Sequence, residues 1–374
     1  MKKIYLLASA LFLFTYTSKA QVDTTKTTEP TQEESFDDFD DFDFSEFDEY
    51  EDSDGKIFCN NKVNGLSPTK LISIGYDFVG PYNLNTSSTG ILSGLLQNQG
   101  RPEIEDEESQ VAFNHGVRIN ANVPIISRYD FILNFGFNYW ESRYEMGNDF
   151  DGMNTHPLHE SFYRNELRTG GMNLTAFKPL NEKNFIVAQI QGDLNGNFNF
   201  MEIQPNLNTV KISGAALYGW KPNDNMNFAV GVTRTYRGGE VLHIPVVMYN
   251  HTYNKKWGVE ALVPARAQVR RTIDPRTMMF FGYELEGNSY NLQNVGGSMS
   301  GYNDLELRRS EIRLRLAYEK SVYNFIWISV QAGMRLNYKF NVSESDDASY
   351  GDFVFENKIG NPFYCGFSIN LVSP

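Results

Sequence analysis

The residues best placed to do chemistry are charged side chains that alternate with apolar ones. Between residues 305 and 316, Arg309, Glu311, Arg313 and Arg315 occupy every second position. A period of two places such residues on one face of a β-strand. That face can form a ladder of arginine–carboxylate pairs or attract anions, and the sequence leaves both alternatives open.

Several other segments show the same alternation, so their charged residues are predicted to line a common interior surface. The candidate lining residues are Arg118, Arg164, Arg168, Arg309, Glu311, Arg313, Arg315 and Arg335. The carboxylates predicted to oppose them are Asp77, Glu166, Asp193, Glu260, Glu284 and Glu286. A charge facing lipid would cost several kcal/mol near the membrane midplane, which favours an interior position if these strands cross a membrane.

The sequence carries no motif of enzymatic catalysis. It has neither a Gly-x-Ser-x-Gly elbow nor a His-Glu-x-x-His pair. His156 and His159 lie near Asp149, Asp151 and Glu160, a spacing that can hold a metal, although a polar loop explains it more simply. We therefore predict no catalytic residue, no metal, no cofactor and no enzymatic activity.

The elements that must position these residues follow an export signal. Lys2 and Lys3 precede an apolar run over 4–14, and Ser-Lys-Ala over 18–20 fits a cleavage site, so residues 1–20 read as a signal peptide. Beyond it, no apolar run reaches the roughly 18 residues of a transmembrane helix. An aromatic content of 14% favours a transmembrane β-barrel over a soluble exported protein.

The lengths of the alternating segments support this choice. Many are longer than soluble strands, which usually have about 5–6 residues. Six short connections alternate with mostly longer ones, and closing the first strand on the last then gives 14 strands, with tight turns near Gly238–Gly239 and near Pro264. Twelve strands is the alternative. We predict an all-β fold, a closed antiparallel transmembrane β-barrel over 65–374, after a disordered acidic arm over 21–64.

The last segment, FYCGFSINL over 363–371, alternates like a closing strand. Together with the signal peptide and the strand ladder, it makes residues 65–374 resemble an outer-membrane β-barrel of Gram-negative bacteria, from an uncharacterised barrel family. The resemblance implies an outer-membrane location, contact with outer-membrane lipid, and barrel-assembly machinery as a partner during biogenesis.

The arm contains a segment of unusual composition. Residues 33–54 hold 13 acidic residues and no basic one, while the whole chain has a net charge of −13. Such a segment does not fold alone, because its charges repel one another. It reads as a solvated linker, a latch on the arginine lining, or a docking peptide for a periplasmic protein. The anchors of a docking peptide would be Phe36, Phe39, Phe42, Phe44, Phe47 and Tyr50.

Two non-enzymatic functions remain. A channel or transport barrel for small solutes needs a continuous wet lumen. A non-transporting subunit or anchor of an envelope complex, docking through the acidic arm, tolerates a blocked lumen. No nucleic-acid partner is expected. Cys59 and Cys365 leave the question of a disulfide open.

Overall fold

The computed structural model describes residues 58–60, 62–88, 105–147, 150, 156–197, 210–237, 240–295, 305–344 and 353–373. The strands are β1 (Lys70–Val79), β2 (Tyr82–Ser88), β3 (Glu107–Arg128), β4 (Phe131–Met146), β5 (Leu167–Pro179), β6 (Asn184–Gly196), β7 (Val210–Asn223), β8 (Met226–Arg237), β9 (Glu240–Thr252), β10 (Trp257–Val263), β11 (Arg266–Asp274), β12 (Thr277–Leu292), β13 (Leu305–Tyr323), β14 (Ile326–Glu344), β15 (Phe355–Ile359) and β16 (Phe363–Val372). A helix, α1 (Pro157–Arg164), lies between β4 and β5. Within these ranges no helix combines the length and hydrophobicity that a membrane span requires.

The strands form a closed antiparallel ring. β1 pairs with β16 on one side and with β3 on the other. From β3 to β14 each strand pairs with the next, and β14 pairs with β16. β2 continues β1, β15 leads into β16, and these two short strands pair with each other. The ring therefore has 14 strands, and the predicted closed antiparallel β-barrel is confirmed.

The connections also follow the prediction. Six short turns lie at one end of the ring, for example residues 129–130 between β3 and β4, and residues 324–325 between β13 and β14. At the other end, the two tight connections that the strand count requires are residues 238–239 and 264–265. We call these ends the short-turn end and the long-loop end.

The outward face of the ring is apolar across the middle of the strands. Ile74, Phe281, Leu316, Val330 and Ile369 are between 49% and 65% exposed. An apolar belt on a closed barrel satisfies all backbone hydrogen bonds internally and leaves side chains that lipid solvates. The architecture is therefore that of an outer-membrane β-barrel.

At the long-loop end the interior is apolar. Leu84, Leu167, Leu307 and Phe340 are at most 1% exposed and belong to one cluster, which includes Leu158 of α1. The ends of β12 and β13 contribute to this cluster because they lean across the ring. Asn291 of β12 forms a bridge with Gly196 of β6, although five strands lie between the two in the sheet.

Side chains hold this folded-in hairpin in place. The Asn197 backbone N–H donates to the Asn291 carbonyl at 3.3 Å, and the Asn197 side chain exchanges two hydrogen bonds of 2.9 Å with the backbone of Gln293. Lys211 of β7 pairs with Glu306 of β13 at 2.9 Å. The ends of the hairpin strands and α1 together fill part of the interior at the long-loop end.

Candidate functional site in the barrel interior

Seven charged side chains of the described residues meet inside the barrel. We call them the charge cluster: Asp77, Arg118, Glu286, Arg309, Glu311, Arg313 and Arg335. Arg313 is its centre, because Nη1 lies 2.6 Å from Glu286 Oε1 and Nη2 lies 3.3 Å from Asp77 Oδ2. Arg118 Nη2 reaches the same two oxygens, at 3.2 and 2.9 Å.

The cluster continues towards the long-loop end. Arg309 Nη2 lies 2.8 Å from Glu311 Oε2, and Arg335 Nε lies 3.7 Å from Glu311 Oε1. The Arg309 guanidinium also lies 5.0 Å from the centre of the Trp140 ring, and that of Arg313 lies 4.9 Å from the Tyr364 ring. Four guanidinium groups thus face three carboxylates and two aromatic rings, which leaves little positive charge to attract a free anion.

Arg315 lies on the same inward face, one step nearer the short-turn end. Its Nη1 atom is 3.3 Å from Glu284 Oε2. Six of the eight candidate lining residues therefore point into the interior, as β13, β14 and β3 position them.

Arg164 and Arg168 do not point into the interior, which corrects the prediction that they line it. Arg164 ends α1, where its side chain is 61% exposed and pairs with Glu160 at 2.7 Å. Arg168 lies on the outward face of β5 and pairs with Glu166, which is also outside the interior. The prediction assumed that apolar residues face lipid at every level. At the long-loop end Leu167 instead faces the apolar interior, so its neighbour Arg168 faces outward.

The described residues form two cavities in the barrel interior. Both are lined by Arg118, Asn120 and Glu284. The first, which we call the amide cavity, measures about 520 Å³. Its lining includes seven side-chain amides: Asn120, Asn138, Asn173, Gln189, Gln191, Asn195 and Asn288.

Asp193 is the carboxylate set among these amides. Gln191 Nε2 donates to its two oxygens at 2.9 and 2.7 Å, and Asn138 is also hydrogen-bonded to it. Gly171 makes this arrangement possible, because a Cβ atom there would collide with the side chains of Asp193 and Asn138. Sequence reasoning did not identify these amides as a site. The available signal was asparagine and glutamine at alternate positions of β4, β5 and β6.

The second cavity measures about 610 Å³ and lies towards the short-turn end. Residues 66–69 form part of its lining. They belong to a segment that we call the strap, residues 58–60 and 62–69, which runs across the short-turn end before β1 begins. We call this space the strap cavity.

The strap is attached to turns and strands around the ring. The Cys59 N–H donates to the Asn181 carbonyl at 3.0 Å, and the Asn64 N–H donates to the Asp224 carbonyl at 2.7 Å. The Ser67 N–H and hydroxyl donate to Glu260 at 3.2 and 2.8 Å. Gly65, with φ of +68°, makes the turn that directs the strap into the barrel.

Glu260 is the main attachment point of the strap. Besides Ser67, its carboxylate accepts from Gln268 at 3.2 Å and from Arg270 at 3.1 Å. The Arg270 side chain is only 1% exposed. A single carboxylate therefore joins the strap to a buried guanidinium. Cys59 and Cys365, which occupy separate positions, are both free thiols.

The two histidines singled out in the sequence stabilise α1. His156 caps the helix, with Nδ1 accepting from the Leu158 N–H at 3.2 Å. His159 is fully buried between the hydroxyls of Thr86 and Ser109, at 2.7 and 2.8 Å. Burial lowers the pKa of His156 to about 3, with His159 adding to the effect. Burial also lowers the pKa of His159, against the opposing charge of Glu107.

A metal site at these histidines has no support from the described residues. Among them no group of three potential ligands is assembled. Asp149 and Asp151 lie outside the described residues, as do the signal peptide and residues 21–57 of the predicted arm with its six aromatic anchors. Residues 58–60 and 62–64 of that predicted arm belong to the strap.

Comparison with known proteins gives similarities of low sequence identity. The toluene transporter TodX of Pseudomonas putida is 8% identical, covering 81% of this chain and 89% of its own, with a TM-score of 0.35. An outer membrane channel from Pseudomonas putida F1 is 13% identical, with coverages of 82% and 97% and a TM-score of 0.36. A Pseudomonas aeruginosa FadL homologue is 9% identical, with coverages of 80% and 90% and a TM-score of 0.35.

A search of curated proteins finds no match. A family model does match, over residues 97–370. This range contains most of the described barrel, from β3 through nearly all of β16, together with the charge cluster residues other than Asp77. The chain belongs to the family described as Domain of unknown function (DUF6268).

Proposed function

We propose that this barrel transports small polar solutes across the outer membrane. The observation that supports the proposal is the pair of polar cavities in the middle of the barrel, about 520 and 610 Å³ in volume. Amides and hydroxyls in such cavities exchange hydrogen bonds with water or with a polar solute. A hydrocarbon in the same space would leave them unsatisfied, at a cost of about 1–3 kcal/mol for each buried group.

In this proposal the short-turn end faces the periplasm, as short turns do in outer-membrane barrels. Export uses the signal peptide over 1–20. Solute passage requires the strap to move, because residues 66–69 line the strap cavity at that end. The folded-in β12–β13 hairpin must also shift or leave a side path at the long-loop end.

A lock on the strap tests the proposal. Asn64 Nδ2 donates to Asn225 Oδ1 at 3.2 Å, so these side chains touch across the periplasmic mouth. A variant carrying Asn64→Cys and Asn225→Cys, in a Cys59→Ser and Cys365→Ser background, is reconstituted in liposomes. We expect uptake of small neutral polar solutes such as glycerol to be low after a short thiol crosslinker and restored when a cleavable crosslinker is reduced.

The crosslinked and reduced states are compared with the Cys-free background treated identically. The control solute is a large dextran, which is hydrophilic and should be excluded in all states. Toluene is not used as a control, because it partitions into lipid. Absence of glycerol uptake in every state, with correctly folded protein, contradicts transport.

A second function has a specific observation in its favour. The strap crosses the short-turn end, and α1 and the hairpin pack inside the long-loop end, which suits a membrane anchor for an envelope complex. In that case residues 33–54 dock a periplasmic protein through Phe36, Phe39, Phe42, Phe44, Phe47 and Tyr50. Deletion of 33–54 would then remove a protein that co-purifies in mild detergent, and no variant would show solute uptake.

A further inference from the structure

We infer that the amide cavity is a binding site for a neutral saccharide. The inference deepens the proposed transport function by naming its solute class, and the binding itself can be measured without transport. The site consists of the seven amides with Asp193, Ser213, Thr233 and Thr235, all lining one space of about 520 Å³. This volume lies within the range of roughly 300–1,000 Å³ that is usual for small-molecule sites.

Part of this lining has unused hydrogen-bonding capacity. Within the described residues, the side chains of Gln189, Ser213 and Thr235 make no hydrogen bond to another protein group, although each is only partly exposed. An amide offers two donors and two acceptor lone pairs, and a hydroxyl offers one donor and two. The neighbouring hydroxyls of a saccharide need donors and acceptors side by side, and this lining provides them.

The charges around the cavity favour a neutral ligand. Arg118 and Glu286 are neutralised within the charge cluster, Glu284 pairs with Arg315, and Lys211 pairs with Glu306. Asp193 differs, because its carboxylate is hydrogen-bonded to the amides of Gln191 and Asn138. A carboxylate of this kind accepts hydrogen bonds from ligand hydroxyls and repels an anionic solute.

An apolar ligand does not fit the same lining. Tyr139 and Trp140 are its aromatic lining residues, and the guanidinium groups of Arg309 and Arg118 lie 5.0 and 5.8 Å from the centre of the Trp140 ring. The Trp140 ring is thus already engaged by two cations. A site built to hydrogen-bond hydroxyls discriminates strongly against analogues that lack them, since its polar groups would then stay unpaired.

Equilibrium binding to the detergent-solubilised full chain tests the inference. The probes are glucose, galactose, xylose, maltose and sucrose, with glucuronate and toluene as comparison ligands, in a detergent without a sugar headgroup. We expect saturable binding of at least one neutral sugar, at least tenfold weaker binding of glucuronate than of glucose or galactose, and no competition by toluene.

The variant combines Gln189→Met with Thr235→Val, which keeps side-chain size and removes two hydrogen-bonding groups that have no partner among the described residues. We expect sugar binding roughly tenfold weaker or lost. The matched control is Asn122→Leu, an inward residue of β3 that lines the strap cavity and not the amide cavity. It should leave sugar binding unchanged. Heat-modifiable gel migration verifies that each variant is folded.

Three results would overturn the inference: no sugar of the five binds, the double variant binds as the wild type does, or the control loses binding equally. Sugar binding without any solute uptake in liposomes contradicts the transport proposal alone. Glycerol uptake without sugar binding contradicts the saccharide site alone.

Discussion

The elements that pack across the two ends of the barrel are held by different forces. At the long-loop end, α1 and the folded-in β12–β13 hairpin bury apolar side chains, with Leu158 at 0% and Phe162 at 1% exposed. At the short-turn end, the strap is held largely by hydrogen bonds, such as those from Ser67 to Glu260, with Cys59 and Val63 as its buried apolar contacts. Burial of large apolar side chains is costly to reverse, whereas hydrogen bonds can be exchanged for water.

The difference suggests which end opens. A closure held by hydrogen bonds can open with a modest free-energy change, because water replaces the lost partners. An apolar closure exposes large side chains when it opens. We therefore expect the strap to be the mobile closure and the long-loop end to be the stable one, and the following variants are designed to break or sharpen this contrast.

The largest effect is expected from Phe162→Ala in α1. Its ring stacks on Tyr144, with centroids 5.0 Å apart, and lies 5.7 Å from Phe340. Loss of a buried phenylalanine typically costs about 3–5 kcal/mol. We expect a lower temperature for release of the long-loop closure, measured by limited proteolysis against temperature. Tyr163→Ala, at a neighbouring position that is 54% exposed, is the control and should change little.

Glu260→Gln is expected to have the next largest effect, at the other end. The change keeps the shape of the side chain but removes the charge that Arg270 and Ser67 contact. Hydrogen bonds to charged groups contribute about 1.5–3 kcal/mol. Hydrogen exchange of residues 62–69 should become faster while that of α1 stays constant. Equal acceleration at both ends would show that the closures are coupled.

Acid should loosen the long-loop end through His156. Its pKa is lowered to about 3 in the folded protein, so the folded state holds it neutral while the released helix binds a proton below the ordinary value of about 6.5. Stability from this group is therefore complete above about pH 6.5 and declines as the pH falls towards 3, by about 2 kcal/mol at pH 5.

The measurement is proteolysis or hydrogen exchange of α1 between pH 7.5 and 5. His156→Asn retains a side chain able to cap the helix and removes the titration, so its pH dependence should be weaker. An unchanged dependence in this variant would assign the effect to His159 or to other groups.

The smallest effect is expected from Ser67→Ala. The hydroxyl hydrogen bond to Glu260 is lost, but the Ser67 N–H still donates to the same carboxylate. We expect about 1 kcal/mol of weaker strap attachment, seen as modestly faster hydrogen exchange of residues 62–69. An effect as large as that of Glu260→Gln would mean that the hydroxyl, and not Arg270, holds the carboxylate in place.

Much of the fold was predictable because barrel geometry constrains the count of strands. The six short turns, with tight connections near Gly238–Gly239 and near Pro264, favoured 14 strands over the alternative of 12. The facing of Arg168 was not predictable. Alternation shows which face of a strand avoids water, but not whether lipid or a folded-in element provides the apolar contact. Leu167 contacts the apolar cluster inside the barrel, to which α1 and the hairpin contribute.

The candidate site also has a part that was predictable from the sequence and a part that was not. The arginines of β13 were predictable, since a charge in every second position of a long strand must avoid lipid. The amide cavity was not, because Gln189 and Asn173 resemble the ordinary polar face of any barrel strand. Their significance depends on which side chains across the ring already satisfy one another, and that depends on tertiary contacts.

The path of the strap also has a mechanical consequence. The strap leads into β1. It is attached to the β7–β8 turn at Asp224 and to Glu260 on β10, and both attachment points lie on the far side of the ring from β1. A segment attached to opposite sides of the barrel limits the distance between those sides. It resists flattening of the cylinder into an ellipse, so release of the strap would change the cross-section of the whole barrel as well as unblock one mouth.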